Sequence, residues 1–191
     1  MTTTMLRGVL CSRLATTAVG EVWVVHDGAE PIAVLPDGPA ATVEEWCLGM
    51  LGVVPEPVEL PAPLRHLIED AARGRGEWRP RLEGLGEFQR RVLLETCAIP
   101  PGETRSYSWL ADRVGHPGAA RAVGTALARN PLPLVVPCHR VVRRDGRIGH
   151  YGCGGPTAKR ALLAGEGVTL DAGGRLSSAR EMTARGRSAH R

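Results

Sequence analysis

Of the 191 residues 43% are hydrophobic, yet no apolar run approaches the roughly 18 that a membrane-spanning helix requires. With 23% charged residues the composition is that of an ordinary globular protein, so no membrane association is expected. The opening MTTTMLRGVLCSRLATTAVG also lacks a secretory core, because Arg7 and Arg13 interrupt its short apolar stretch. A cytoplasmic location is therefore expected. The five cysteines, Cys11, Cys47, Cys97, Cys138 and Cys153, form no CxxC pair and stand in no tight spacing with histidine. Neither a zinc site nor a disulfide framework is supported, so the thiols are free and no metal or cofactor is expected. Small buried hydrophobes account for Cys47 and Cys97.

Acidic residues are scarce in one stretch. From Glu103 to Arg160 there are ten Lys and Arg against three Asp and Glu, a local +7 in a chain whose overall charge is +4. Such a basic stripe suits a polyanion, with nucleic acid the leading partner; a solvated arginine-rich surface is the plainer alternative.

Patterning divides the chain. Residues 17–37 hold two β-rich runs around an Asp27-Gly28 turn, which predicts a hairpin. TVEEWCLGML predicts a helix with Thr42 as N-cap and Glu45 closing a capping box, and PAPLRHLIEDAARG a second helix ending near Gly74. The glycine- and proline-rich GRGEWRPRLEGLG reads as a domain boundary, giving units 1–78 and 79–170. Beyond it EFQRRVLLETCAI is helical, with Phe88, Val92 and Cys97 on one face. Tyr107, Leu110, Ala111 and Val114 fall at i, i+3, i+4 and i+7, and Ala119, Ala122, Val123, Ala126 and Leu127 repeat that pattern after GHPG. This is the signature of a helix-turn-helix, although paired helices also serve simply as packing units. A strand over NPLPLVV, the segment PCHR, another strand in HRVVRRDGRIG, a glycine-rich loop HYGCGG and a helix over 157–164 follow. Residues 171–191 lack an apolar face and read as a flexible tail. The fold class expected is mixed α/β (α+β): a small strand-rich N-terminal unit and a mainly helical, winged-helix-like C-terminal one.

The chemistry centres on Cys138, His139 and Arg140. A thiolate is the nucleophilic form of cysteine, and a neighbouring base raises its population. Adjacent strand residues point to opposite faces, so Cys138 and His139 act together only if the chain turns there, and Pro137 favours a turn. A histidine base also needs a partner on its other ring nitrogen to fix its tautomer; Glu166, from the last helix, is the candidate.

The segments SYSWLA (106–111), GAARAVGTALARNPLPLVVPCHRVV (118–142), GHYGCGG (149–155) and AKRALLAGEGV (158–168) together resemble the O6-alkylguanine-DNA alkyltransferases. The resemblance spans roughly residues 80–170 and is carried most specifically by PCHRV with RAVG and NP upstream. For residues 1–78 it rests on the strand-rich start and overall length. It implies a monomeric DNA repair protein that binds the minor groove of double-stranded DNA through its helix-turn-helix, flips out O6-alkylguanine and takes the alkyl group onto cysteine once, irreversibly. By the same resemblance Cys138 is the acceptor, His139 the base acting through water, Glu166 its orienting partner and Asn130 the hinge between helix-turn-helix and active site. Tyr107 is the donor to the departing guanine and Arg121, flanked by Ala120 and Ala122, the finger that fills the vacated stack. Pro133, Tyr151, Gly152 and Cys153 form the substrate pocket, and Arg140 organises the active-site turn.

The chain departs from the family's pattern in YGCGGPTAK, which is one residue longer than expected between Tyr151 and Lys159 and places a second thiol, Cys153, by the pocket. Size preference for the alkyl group is therefore open. Three other readings stand beside repair: a helix-turn-helix lesion sensor or regulator without chemistry, a paralogue acting on a small alkylated compound, and a Cys-His hydrolase. The first leaves PCHR unexplained, and nothing in the chain suggests an acyl pocket for the last.

Overall fold

The computed structural model describes residues 8–16, 19–76 and 78–177. Strands β1 (Leu10–Thr16), β2 (Gly20–His26) and β3 (Pro31–Pro36) form an antiparallel meander, and the short β4 (Glu56–Pro57) adds to β1 in parallel, giving the order β3-β2-β1-β4. The expected hairpin is β2 to β3, where Asp27 Oδ1 accepts from the amides of Ala29 and Glu30 at 2.9 and 2.7 Å. Strand β1, which no sequence signal singled out, pairs with β2 from Leu10↔His26 to Thr16↔Gly20.

The two-residue period of β2 sends Trp23 and Val25 to one face and Val22 and Val24 to the other. Trp23 and Val25 pack with Cys11, Val43 and Cys47 beneath helix α1 (Ala40–Leu51). Val22 and Val24 join a second, larger cluster with Leu64 and Ile68 of α2 (Ala62–Ala72) and with Val92, Leu110, Val123 and Leu162 of the C-terminal half. Because both faces of the sheet are covered, VWVV is apolar without alternation. The sequence boundary falls in the loop after α2, while this larger cluster runs through both halves. We propose that residue 78 divides chain segments rather than independent cores.

Helix α1 differs from its expectation: it starts at Ala40 behind Pro39, whose carbonyl accepts the Thr42 amide at 3.0 Å, and no side chain caps it. Pro39 takes the N-cap place with φ −56° and an extended ψ of 147°, so the helix begins two residues before Thr42.

In the C-terminal half α3 (Glu87–Cys97) packs on α4 (Tyr107–Arg113) and α5 (Ala120–Ala128), the helix-turn-helix pair. The buried face of α3 is Val92, Leu93 and Thr96, with Phe88 and Cys97 at its margin. The strand expected over 131–136 does not form. Pro131, Pro133 and Pro137 remove alternate amide donors, and the segment coils instead, with Val136 N donating to Leu132 O at 2.8 Å and Leu134 at φ 78°. A 3-10 turn then covers Cys138–Arg140; of the next expected strand Val141–Val142 (β6) pairs in parallel with Arg105–Ser106 (β5), and Arg147 makes an isolated antiparallel bridge to Arg175. The Asp145-Gly146 turn forms as expected, with Arg143 N donating to Arg147 O at 2.9 Å. Helix α6 spans Gly155–Gly165.

Residues 171–177, read from sequence as the start of a tail, are held against residues 143–148 around the Asp145-Gly146 turn, the wing of this half. Ile148 N donates to Gly174 O and Leu176 N to Gly146 O, at 3.1 and 3.0 Å, and Leu176 packs near Ile148 and Leu163. The pairing is mainly through the backbone, which an apolar pattern does not reveal. Residues 178–191 lie outside the described part. Among the described residues no helix is long and apolar enough to cross a membrane.

Candidate active site

The 3-10 turn supplies the bend that Cys138 and His139 need. Arg140 N donates to Pro137 O at 2.9 Å, and the turn buries Cys138, His139 and Arg140 together. Asn130, just past α5, ties the turn to the helix-turn-helix. Its Nδ2 donates to Cys138 Sγ and to Val136 O, both at 3.3 Å, while its Oδ1 accepts from Leu132 N at 3.0 Å. Pro131 beyond it accepts from Val34 N of β3 at 2.8 Å, so the N-terminal sheet also holds this loop.

Glu166 caps the C-terminus of α6, and its side chain, 2% exposed, is the hub of the site. Oε1 receives His139 Nε2 at 2.9 Å and Arg140 Nη2 at 2.7 Å; Oε2 receives Arg140 Nε at 3.1 Å and Gly102 N at 3.2 Å. Arg140 Nη1 donates onward to Ile99 O at 2.6 Å. Arg140 is thereby committed to the protein's own groups, as a turn organiser. With the ionised Glu166 accepting from Nε2–H, His139 keeps Nδ1 as a lone-pair acceptor, and that buried atom has no hydrogen-bond partner among the described residues.

The electrostatics follow from burial. Cys138 is pushed above its ordinary pKa by desolvation, opposed by the Asn130 hydrogen bond and then by the charge of Lys159. The resting sulfur is thus a thiol that needs a base. His139 is held below its usual value by burial, against the pull of Glu166, so it is neutral and able to accept a proton. Glu166 is lowered to about 2, because its bonds to His139 and Arg140 outweigh the cost of burial. Tyr107 is raised by desolvation and then by Cys138, with Arg143 acting the other way, and so stays a proton donor at neutral pH.

The β5-β6 pairing brings Tyr107 to this turn. Ser106 caps α4 by accepting from Trp109 N at 3.1 Å, which fixes Tyr107 as the first helical residue. On α5, Arg121 and Ala122 are exposed and Ala120 is half-buried, so the finger candidate lies on the outer surface rather than among the reacting groups. Pro133, Gly152 and Cys153 line one cavity with Cys138, of about 630 Å³. Tyr151 stands apart from that wall: its ring meets His139 edge-on at 6.4 Å, and its buried hydroxyl, held well above its ordinary pKa by desolvation and then by Cys138, has no hydrogen-bond partner by geometry among the described residues. Cys153 is fully buried and pushed up to about 12 by desolvation, then by Cys138.

Two contributors escaped the sequence reading. Lys159 is 1% exposed, donates to Val141 O at 2.7 Å and is lowered to about 8 by burial, with Cys138 pulling upward. Its spacing to Leu162 and Leu163, at i+3 and i+4, was the available signal that it faces inward. Gly74 has φ 69°, and a Cβ there would lie 2.8 Å from Glu166 Oε1, so only glycine lets α2 end against the carboxylate. Cys97, assigned to the core, is half-buried and near enough to Cys138 and Arg140 to feel their charge.

Acid should weaken this fold in two stages. His26 and His139 have lowered folded pKa values, both chiefly from burial, so below about pH 6.5 the unfolded chain takes up protons that the folded one refuses. Glu166 adds stability that is complete above its ordinary 4.5 and is lost as pH falls from there towards about 2. Urea unfolding from pH 8 to 4 should show a midpoint that begins to drop near 6.5 and drops further below 4.5. A flat midpoint would contradict the burial of both histidines.

A family model described as 6-O-methylguanine DNA methyltransferase, DNA binding domain, matches residues 87–168. The mouse methylated-DNA-protein-cysteine methyltransferase is 46% identical over 121 residues, 60% of this chain and 57% of that protein. The chain spans about half the length of the curated relatives it matches. Among solved structures, Mycobacterium tuberculosis OGT in complex with DNA superposes with a TM-score of 0.65 at 32% identity, covering 83% of this chain and 92% of that one. The O6-methylguanine-DNA methyltransferase of Pyrococcus kodakaraensis gives 0.66 at 30% identity, over 83% and 100%. With such identity across nearly the whole of both solved relatives, and a thiol, imidazole and carboxylate gathered at one turn, the chain belongs to the O6-methylguanine-DNA methyltransferase family.

Proposed function

We propose that this protein repairs double-stranded DNA as a monomer, by moving the alkyl group of O6-alkylguanine onto Cys138 in a single turnover. The observation that carries the reading is the Cys138 thiol, held by Asn130 at 3.3 Å at the turn where His139 is committed through Nε2 to Glu166 at 2.9 Å. In the step proposed, the thiol proton passes to His139 Nδ1 through a water, and the thiolate attacks the O6-bound carbon. A carbon–sulfur bond forms, the carbon–oxygen bond breaks, and its electron pair leaves on guanine, where Tyr107 donates a proton or hydrogen bond. Lys159 opposes the rise in the thiol pKa throughout. The thioether product is not cleaved by water or a second thiol, so each chain acts once.

The exposed face of α5 supports docking on DNA, and the exposed Arg143, Arg144 and Arg147 of the wing supply charge for phosphates. Flipping a base costs a few kcal/mol of unstacking, which an inserted side chain partly offsets. Arg121→Ala should therefore slow repair of duplex DNA by roughly tenfold or more while sparing transfer from free O6-benzylguanine. Equal losses on the two substrates would remove Arg121 from the finger role.

The test of the proposal is stoichiometry. Excess duplex carrying one O6-methylguanine should yield one restored guanine per protein chain and then nothing further. Continued turnover, or none at all with a folded protein, would overturn it.

A further inference from the structure

The cavity at Cys138 is far larger than a methyl group needs. Its volume is about 630 Å³, inside the roughly 300–1,000 Å³ of pockets that hold drug-sized ligands, whereas a methyl is comparable to a water molecule at roughly 30 Å³. Its lining joins Cys138, Pro133 and Cys153 of the C-terminal half to Leu35 of β3 and to Trp46 and Met50 of α1. Met50, a large apolar side chain, is 63% exposed there.

We propose that the N-terminal segment supplies part of the wall of the alkyl-binding cavity, with Trp46 and Met50 contacting O6 substituents much larger than methyl, such as aryl-methyl or long alkyl chains. The inference rests on the reading of Cys138 as acceptor. It gives residues 1–78 a part in substrate choice, beyond the support that Val34 lends to Pro131. Helix α1 is suited to it: Val43, Trp46, Cys47 and Met50 fall at i, i+3, i+4 and i+7, with Val43 and Cys47 buried against the sheet and Trp46 and Met50 lining the cavity. Gly152 and Cys153, from the loop after Tyr151, line the same cavity.

The test loads the full chain with O6-(4-benzoylbenzyl)guanine, whose aryl ketone stays attached to the acceptor thiol and abstracts hydrogen from nearby side chains, methionine especially, on irradiation. Peptide mapping should recover the Cys138 peptide joined to the peptide that carries Trp46 and Met50. In parallel, Met50→Trp fills part of the cavity and should slow transfer from O6-benzylguanine by roughly tenfold or more, while methyl transfer from duplex DNA is unchanged. Crosslinks confined to residues 149–155, or equal rates of Met50→Trp and the parent on the benzyl substrate, would overturn the inference alone, provided methyl transfer proceeds. Failure of the parent chain to take up either group would overturn the acceptor reading beneath it.

Discussion

Glu166→Gln should lower both stability and the rate of alkyl transfer, and by more than any other change that keeps the acceptor. The carboxylate receives His139, Arg140 and the Gly102 amide, and its side chain is only 2% exposed. An amide of the same size removes the charge that compensates buried Arg140, and its NH₂ group faces donors. Leaving a buried charge without its partner costs about 3–5 kcal/mol. The substitution also removes the acceptor that fixes the His139 tautomer and the charge that raises its basicity, and positioned general acid–base groups contribute on the order of 10²- to 10⁴-fold in rate. Single-turnover rates across pH separate the two losses. A merely structural Glu166 would lower the unfolding midpoint and leave the pH profile of the folded fraction in place, whereas the relay predicts a rate that recovers only at higher pH, where the thiol ionises unaided. An unchanged neutral-pH rate would exclude the relay.

Cys138→Ser should abolish transfer altogether while keeping the fold and DNA binding. Serine fits the space, and Asn130 Nδ2, now 3.3 Å from sulfur, can donate to a hydroxyl oxygen. The hydroxyl, however, is a far poorer nucleophile at neutral pH than a thiol assisted by a base. The reciprocal change, Cys153→Ser, should preserve methyl transfer, since that thiol is pushed up to about 12 and stays protonated. Gel-shift assays with methylated duplex would establish binding, and intact mass would establish transfer. A mass increase on Cys138→Ser would contradict the assignment, as would loss of transfer on Cys153→Ser in a folded, DNA-binding protein.

What the sequence disclosed follows the range of the forces involved. The helix-turn-helix was legible because Leu110, Ala111, Val114, Val123, Ala126 and Leu127 keep a helical period and are buried on that face. The Cys138 turn was legible because Pro137 interrupts extended backbone, although the strand assigned before it was defeated by Pro131 and Pro133. Local pattern could not reveal contacts made across the fold. The Glu166 hub gathers Gly74, Gly102, and His139 with Arg140 from three separate stretches, and nothing in the spacing of Gly74 announces that its missing Cβ makes room for a carboxylate. Trp46 and Met50 escaped for the same reason: the period of α1 puts them on one face with Val43 and Cys47, but it does not show that this face reaches a cavity shared with Cys138. The hold on residues 171–177 by the wing is mainly backbone pairing, to which apolar periodicity is blind.

The account stands most directly on which atom receives the alkyl group. The unmodified chain, mixed with excess O6-methylguanine duplex and then digested, should carry one added methyl, about 14 Da, on the peptide containing Cys138 and on no other. The label found on Cys97 or Cys153, or spread among several thiols, would contradict the claim that Asn130, His139, Glu166 and Lys159 serve a single acceptor.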